Sequence, residues 1–160
     1  MAMSGRVYTM SFTNVTISAV QDALALYAGA SKIFGVTSVN LGQVTGTTVA
    51  NARVRLRYLP ATVTAGSVGS AGTIKPWVPG DAAPTVTGRI NDTTQATSSG
   101  TGVDLWDDVW NTVNGFVWSP ALVMASHPPV IGLSGAFVVS LDTALASLVC
   151  NGSVTFEELP

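Results

Sequence analysis

The chain has 160 residues and a net charge of −2, with 47% hydrophobic and only 10% charged residues. This length fits one domain with a core of its own, so we expect a single domain over residues 1–160. The absence of a basic excess argues against a nucleic-acid partner. No apolar stretch reaches the roughly 18 residues that a membrane-spanning helix needs, so we expect no membrane partner.

The charged fraction lies well below the roughly 25% of a typical soluble domain. Two explanations compete: much of the surface is buried against partners, or the surface is a neutral one of Thr, Ser and Gly. We favour burial, because large exposed apolar patches usually mark interfaces. The single cysteine, Cys150, excludes a disulfide within the chain and suits a reducing cytoplasm. The N-terminal residues lack the apolar segment of a secretory signal.

Apolar and polar residues in the first half of the chain alternate with the period of two that is typical of β-strands. Tyr8, Met10 and Phe12 share one face of a predicted strand over 6–17, which bends near residues 13–14. The other predicted elements are a strand or short turn at 20–27, a strand at 33–41 with a bulge at Gly35, and a strand at 51–59 with Val54, Leu56 and Tyr58 facing inward.

The second half is predicted to contain two loops and a further series of strands. Gly-rich and Ser-rich composition indicates loops at 61–84 and 91–102. Strands are predicted at 85–90, 103–110, 116–118, 129–133, 135–141 and 147–156, the last as a hairpin or as one strand with a bulge at Asn151–Gly152. About eight to ten strands with frequent turns predict an all-β fold, a β-sandwich or jelly roll.

Three arginines form the one dense basic cluster. Arg53, Arg55 and Arg57 are two residues apart and therefore lie on one face of the predicted strand. This stripe is a candidate contact surface for an acidic partner or for phosphate. The competing interpretation, which we favour, is an ordinary solvated strand face.

The four tryptophans are candidates for core or interface positions, because aromatic residues are enriched in both. Trp118 is predicted to be in the core. Trp106 and Trp110 are predicted to share a strand face with Asp104 and Asp108, a mixed surface that suits an interface or a binding groove. Trp77, which lies between two prolines, is predicted to cap the end of the fold or to contact a neighbouring protein. Carbohydrate stacking is the alternative role for Trp77, Trp106 and Trp110.

Catalytic equipment is not evident, and we expect neither an enzyme nor a bound cofactor. His127 is the single histidine, so a site with two histidine ligands cannot form within the chain. Asp104, Asp107 and Asp108 lack the oxygen spacing of a calcium loop, so we expect no metal. The chain has no G-x-S-x-G nucleophile motif and no phosphate-binding loop.

The order of several short segments resembles a known group of proteins. The segments are Gly5–Tyr8, Ser11–Val15, Ala19–Asp22, Val39–Gln43, the arginine strand, residues 66–72, Pro79–Ala83, Asn91–Thr94, Trp118 with Pro120, and Asn151–Leu159. The sequence resembles a family of small proteins of tailed phages and prophages, and is similar to jelly-roll proteins that decorate or cement phage capsids.

The resemblance implies a non-catalytic virion subunit on the capsid surface, assembled in the bacterial cytoplasm. The expected partner is the major capsid protein, bound between capsomers, and the expected state is a homo-oligomer, a dimer or a trimer. A lectin-like carbohydrate-binding module and a tail-associated sandwich are the alternatives. Candidate interface residues are Trp77, Trp106, Trp110, Arg53, Arg55 and Arg57.

Overall fold

A computed structural model of the chain describes residues 5–44, 49–120, 127–145 and 148–160. Within these residues the structure contains fourteen β-strands, eight of them with six residues or more. They are β1 (Arg6–Thr16), β2 (Gln21–Tyr27), β3 (Phe34–Gln43), β4 (Asn51–Leu59), β5 (Val63–Thr64), β6 (Ser70–Gly72), β7 (Ile74–Pro76), β8 (Thr87–Asp92), β9 (Thr97–Ser98), β10 (Val103–Asn111), β11 (Phe116–Trp118), β12 (Val130–Ile131), β13 (Ala136–Leu141) and β14 (Val149–Glu158).

The strands form two large antiparallel sheets that pack face to face. Sheet A has the order β11-β3-β14-β1-β7, with β12 also paired to β3. Sheet B has the order β10-β4-β13-β2-β8-β6, and β5 and β9 form a separate two-stranded ribbon. The predicted all-β sandwich is therefore confirmed.

The core lies between the sheets and follows the alternation of the sequence. Tyr8, Met10 and Phe12 from β1 and Leu56 from β4 belong to one cluster of buried side chains. A second, smaller cluster lies on the other side of sheet B, where Ala25, Leu59, Ala96, Ala136 and Val138 are buried together. Sheet B is thus covered on part of its outer face, and its core positions include residues on both sides of the strands.

β1 bends where the sequence predicts it. The register with β14 shifts between Phe12 and Val15, and Asn14 has a positive φ of 54°. The backbone N–H of Asn14 donates to Oδ1 of Asn151 at 2.8 Å, which fixes the bend against the neighbouring strand. Residues 151–152 lie inside the continuous strand β14, so the hairpin alternative is wrong, and the irregularity lies in the facing strand β1.

Two other predictions of local structure need correction. Gly35 pairs regularly with Glu157, and the bulge of β3 lies at Thr37, between the pairs Ser38–Thr155 and Val36–Phe156. The predicted loops also contain short strands, because β6 and β7 extend the sheet edges by pairing with β8 and β1. Pairing between distant segments creates these strands, and local composition carries no signal for it.

The described part of the chain contains no helix that is long and apolar enough to cross a membrane.

Gly152 and Gly42 provide a matched test of the packing of sheet A. A Cβ at position 152 would lie 2.5 Å from a ring carbon of Phe12, whereas a Cβ at position 42 would meet no atom within 4 Å. Overpacking a core typically costs about 1–3 kcal/mol. We expect Gly152→Ala to lower the free energy of unfolding by this amount in urea denaturation, and Gly42→Ala to leave it nearly unchanged. Equal effects of the two substitutions would contradict the packing described here.

Candidate interaction surfaces

The outer face of sheet A is uncharged at its centre. Residues paired across strands lie on the same face, and two rows of pairs run across β1, β14 and β3 there. Because Tyr8, Met10 and Phe12 alternate with them and are buried, these rows face outward. We call them the neutral face: Thr9, Thr155 and Ser38 in one row, and Ser11, Ser153 and Asn40 in the other.

The two edges of the neutral face carry exposed apolar side chains. Val117 of β11 extends the row of Asn40 and is 63% exposed. At the opposite edge the backbone N–H of Trp77 donates to the carbonyl of Val7 at 3.0 Å, so Trp77 continues the pairing of β7. Its side chain is 62% exposed. Lys75, paired with Thr9, is the charged residue of these two rows.

The arginine stripe lies on the outer face of sheet B, as predicted, but acidic side chains neutralise it. Arg53 forms a two-pronged ion pair with Asp107. Arg55 contacts Asp142 and Asp104. The bond from Arg53 holds the pKa of Asp107 below its usual value of 3.8. The stripe therefore presents alternating charges, and a free basic surface for an acidic partner or a phosphate is not formed.

Arg57 completes the stripe at its more buried end. Its guanidinium lies 3.9 Å from Oδ1 of Asp22. Asp22 is buried, and burial raises the pKa of its carboxyl group despite hydrogen bonds from the backbone of Ala96 at 2.7 Å and the hydroxyl of Ser140 at 2.8 Å. This network connects β2, β13 and β4 to the segment around Ala96, so its role is structural.

Most charged side chains of the chain take part in ion pairs with one another. Six of the seven basic residues lie within 4.0 Å of an acidic side chain. These six are Arg6, Lys32, Arg53, Arg55, Arg57 and Arg89. Internal pairing leaves few unpaired charges on the rest of the surface, which includes the neutral face.

The prediction that Trp106 and Trp110 share a face with Asp104 is wrong. The register of β10 against β4 shifts between Asp104 and Trp106, so Leu105 is an extra residue. Asp104 therefore pairs with Arg57 on the outer face, while Trp106, Asp108 and Trp110 pair with inward-facing residues of β4. The one extra residue places each later side chain of β10 on the opposite face from the one that simple alternation with Asp104 predicts.

The four tryptophans have different environments. Trp118 is buried at 6% exposure and packs on Phe137, which confirms its predicted core position. Trp110 is also buried, and its indole N–H donates to the carbonyl of Asn114 at 2.6 Å, so it does not offer its ring to a partner. Trp106 is half-buried, and Trp77 is the exposed one.

A cleft of about 280 Å³ opens at the edge of the sandwich where β10 and β11 end the two sheets. Its lining combines aromatic rings with polar side chains, among them Trp106, Phe116, Trp118, Asp108, Asn111 and Asn114. Strand alternation predicts Trp106 and Trp110 as site residues, but it gives no indication of Phe116 or of the asparagines. The turn between the strands brings these residues together, and the short spacing between 106 and 118 was the available signal.

Groups that could hold a metal ion are absent from the described ranges, where no three His, Cys, Asp or Glu residues cluster suitably. Cys150 is buried, and burial raises the pKa of its thiol to about 12, so it is a core residue and not a nucleophile. Comparison of the chain with protein-family models, curated proteins and solved structures finds no match.

Proposed function

We propose that the chain is a structural subunit of a tailed-phage virion, a decoration protein that binds the capsid surface between capsomers. The neutral face of sheet A carries this proposal. It offers a rigid array of hydroxyl and amide groups, with exposed apolar side chains at both edges. Lys75 is the one charged residue in its two rows, so docking this face buries little unpaired charge, which is the most expensive contribution to an interface.

The strand order supports a jelly roll, a fold that occurs in viral capsid proteins and in lectins. The strands β1, β14, β3 and β11 are neighbours in sheet A, and β2, β13, β4 and β10 are neighbours in sheet B. The first four strands therefore alternate between the two sheets, and the first strand of the chain pairs with the last. The strand β7 extends sheet A, and the strands β8 and β6 extend sheet B, beyond these eight strands. Fold alone does not define function, so the proposal depends on the surface.

Trp77 is the expected anchor of this interface. Large aromatic side chains that are exposed in the free protein and buried in a complex often contribute most of the binding energy. Val78, beside it, is 61% exposed, and Val117 lies at the far edge of the neutral face. The arginine stripe, in contrast, is satisfied internally and is expected to stay in solvent. Of the candidate interface residues named from the sequence, we therefore retain Trp77.

The test is binding of the purified chain to shells of the cognate major capsid protein, measured by co-sedimentation. We expect Trp77→Ala to weaken binding at least tenfold, as typical of an interface anchor. Ser11→Glu places a charge on the neutral face and is expected to have a comparable effect. Thr101→Glu, which adds the same charge at an exposed loop position, is the matched control and is expected to bind normally.

Absence of binding by the unmodified chain would contradict the proposal, as would equal binding of all three variants. The solution mass, measured by light scattering after size-exclusion chromatography, tests the expected dimer or trimer. If Ser11→Glu converts an oligomer to a monomer while Thr101→Glu does not, the neutral face is the contact between copies of the chain.

A further inference from the structure

The cleft between β10 and β11 contains two buried hydrogen-bond donors without acceptors. Within the described residues neither Nε1 of Trp106 nor Nε1 of Trp118 has a hydrogen-bond partner, and both atoms are shielded from solvent. A buried donor left unpaired is unfavourable, and native proteins rarely keep one without a reason. Both tryptophans line the cleft. Because both atoms are inaccessible, an occupant of the cleft can supply acceptor oxygens to them only after the two indole rings turn toward it.

The remaining walls of the cleft define what else the occupant must present. Trp106 and Phe116 are half-buried and offer partly accessible rings, which contact apolar C–H groups well. Asp108, Asn111 and Asn114 are exposed polar residues at the same cleft. The Asp108 carboxylate accepts hydrogen bonds and disfavours an anionic ligand. An occupant therefore needs an apolar surface, hydroxyl donors and acceptor oxygens together, without negative charge.

An extended peptide is a poor fit to this edge, although β10 is the last strand of sheet B. Edge strands avoid pairing with other chains by bulges and by inward-pointing charges. β10 has both features: the extra residue Leu105 interrupts its register, and Asp108 lies on its inward-facing side, opposite Val54. Addition of a peptide strand along β10 is therefore disfavoured.

We propose that this cleft binds a neutral saccharide, with the sugar ring against Trp106 and Phe116. The sugar hydroxyls would donate to Asp108 and to the amide oxygens, and would accept from the indole N–H groups of Trp106 and Trp118 after the two rings turn toward the sugar. The volume of about 280 Å³ lies at the small end of ligand sites, which suits a monosaccharide or disaccharide unit. This binding activity goes beyond the proposed virion role and does not rest on it.

The experiment uses the ¹⁵N-labelled full chain titrated with glucose, galactose, mannose and N-acetylglucosamine, followed by the indole N–H signals of its four tryptophans. We expect at least one sugar to shift the signals of Trp106 and Trp118 in a saturable way. The signal of Trp77, which lies at the edge of sheet A outside the cleft, is the internal control and is expected to stay constant.

Two variants make the assignment specific. Trp106→Phe keeps a ring but removes the N–H, and is expected to weaken sugar binding about tenfold. Trp77→Phe is the matched control and is expected to bind as the unmodified chain does. Thermal unfolding shows that both variants are folded. The proposal is overturned if no sugar shifts Trp106 and Trp118 at millimolar concentration, if Trp77 shifts equally, or if Trp106→Phe binds as well as the unmodified chain.

Discussion

Replacing Phe156 with alanine is expected to lower the free energy of unfolding by about 3–5 kcal/mol. Phe156 is fully buried on β14, between β1 and β3. Its ring stacks on Tyr8 with centroids 5.6 Å apart, and meets Phe34 edge-on at 5.4 Å. Truncation removes these contacts and leaves a cavity that the flanking strands cannot close. Urea denaturation, followed by tryptophan fluorescence, measures the change.

The neighbouring residue supplies the control for this prediction. Thr155 lies on the neutral face, half-buried, and Thr155→Ala is expected to change the free energy of unfolding by less than about 1 kcal/mol. A natural domain is stable by only about 5–15 kcal/mol, so the Phe156 variant is expected to be close to unfolding at physiological temperature. If the two variants had equal stability, the core between the sheets would not be centred on Phe156.

The alternation of small polar and large apolar residues was sufficient to predict most of the long strands. In β1 the pattern also predicted which side chains are buried, because one face of the strand meets the core and the other meets solvent. β2 was harder to predict, because Gln21–Leu26 is buried on both faces and lacks alternation. A strand covered on both sides resembles a buried helix in composition, and only its pairing partners decide between them.

The orientation of the candidate residues in β10 could not be predicted by alternation alone. The extra residue Leu105 moves Asp104 to the opposite face from Trp106, and no residue type at that position signals the bulge. The partners of the arginines were also inaccessible, since Asp22, Asp107 and Asp142 come from three other segments of the chain. The alternation of residues along one segment predicts a strand, whereas neutralisation of a charge depends on which strands become neighbours.

The low charge of the chain was attributed first to burial against partners and second to a neutral Thr, Ser and Gly surface. The neutral face fits the second explanation, because it is a regular polar surface without charge at its centre. The first explanation stays a prediction, which the capsid-binding experiment tests. Six of the seven basic residues are ion-paired with acidic side chains. The surface is poor in free charge because all five arginines are paired with acidic side chains of other segments or of neighbouring residues.

Replacing Glu158 with glutamine is expected to lower the free energy of unfolding at neutral pH by about 2–3 kcal/mol. The Glu158 carboxylate is buried and accepts hydrogen bonds from the backbone and the hydroxyl of Thr85, both at 2.6 Å, and from Lys32 at 3.3 Å. It joins the end of β14 to the segment before β8. Lys32→Met is the control, because a half-exposed partner contributes less than about 1 kcal/mol.

The pH dependence separates the charge of Glu158 from its shape. Burial alone would raise the pKa of this carboxyl group, but the hydrogen bonds from Thr85 and the ion pair with Lys32 outweigh burial and lower it below the ordinary value of 4.5. A lowered pKa in the folded state stabilises the fold above 4.5, and this contribution is lost as the pH falls through the folded-state pKa. The stability difference between the unmodified chain and Glu158→Gln should therefore shrink on acidification. A difference that stays constant down to the pH of acid unfolding would mean that packing of the side chain, and not its charge, holds β14 in place.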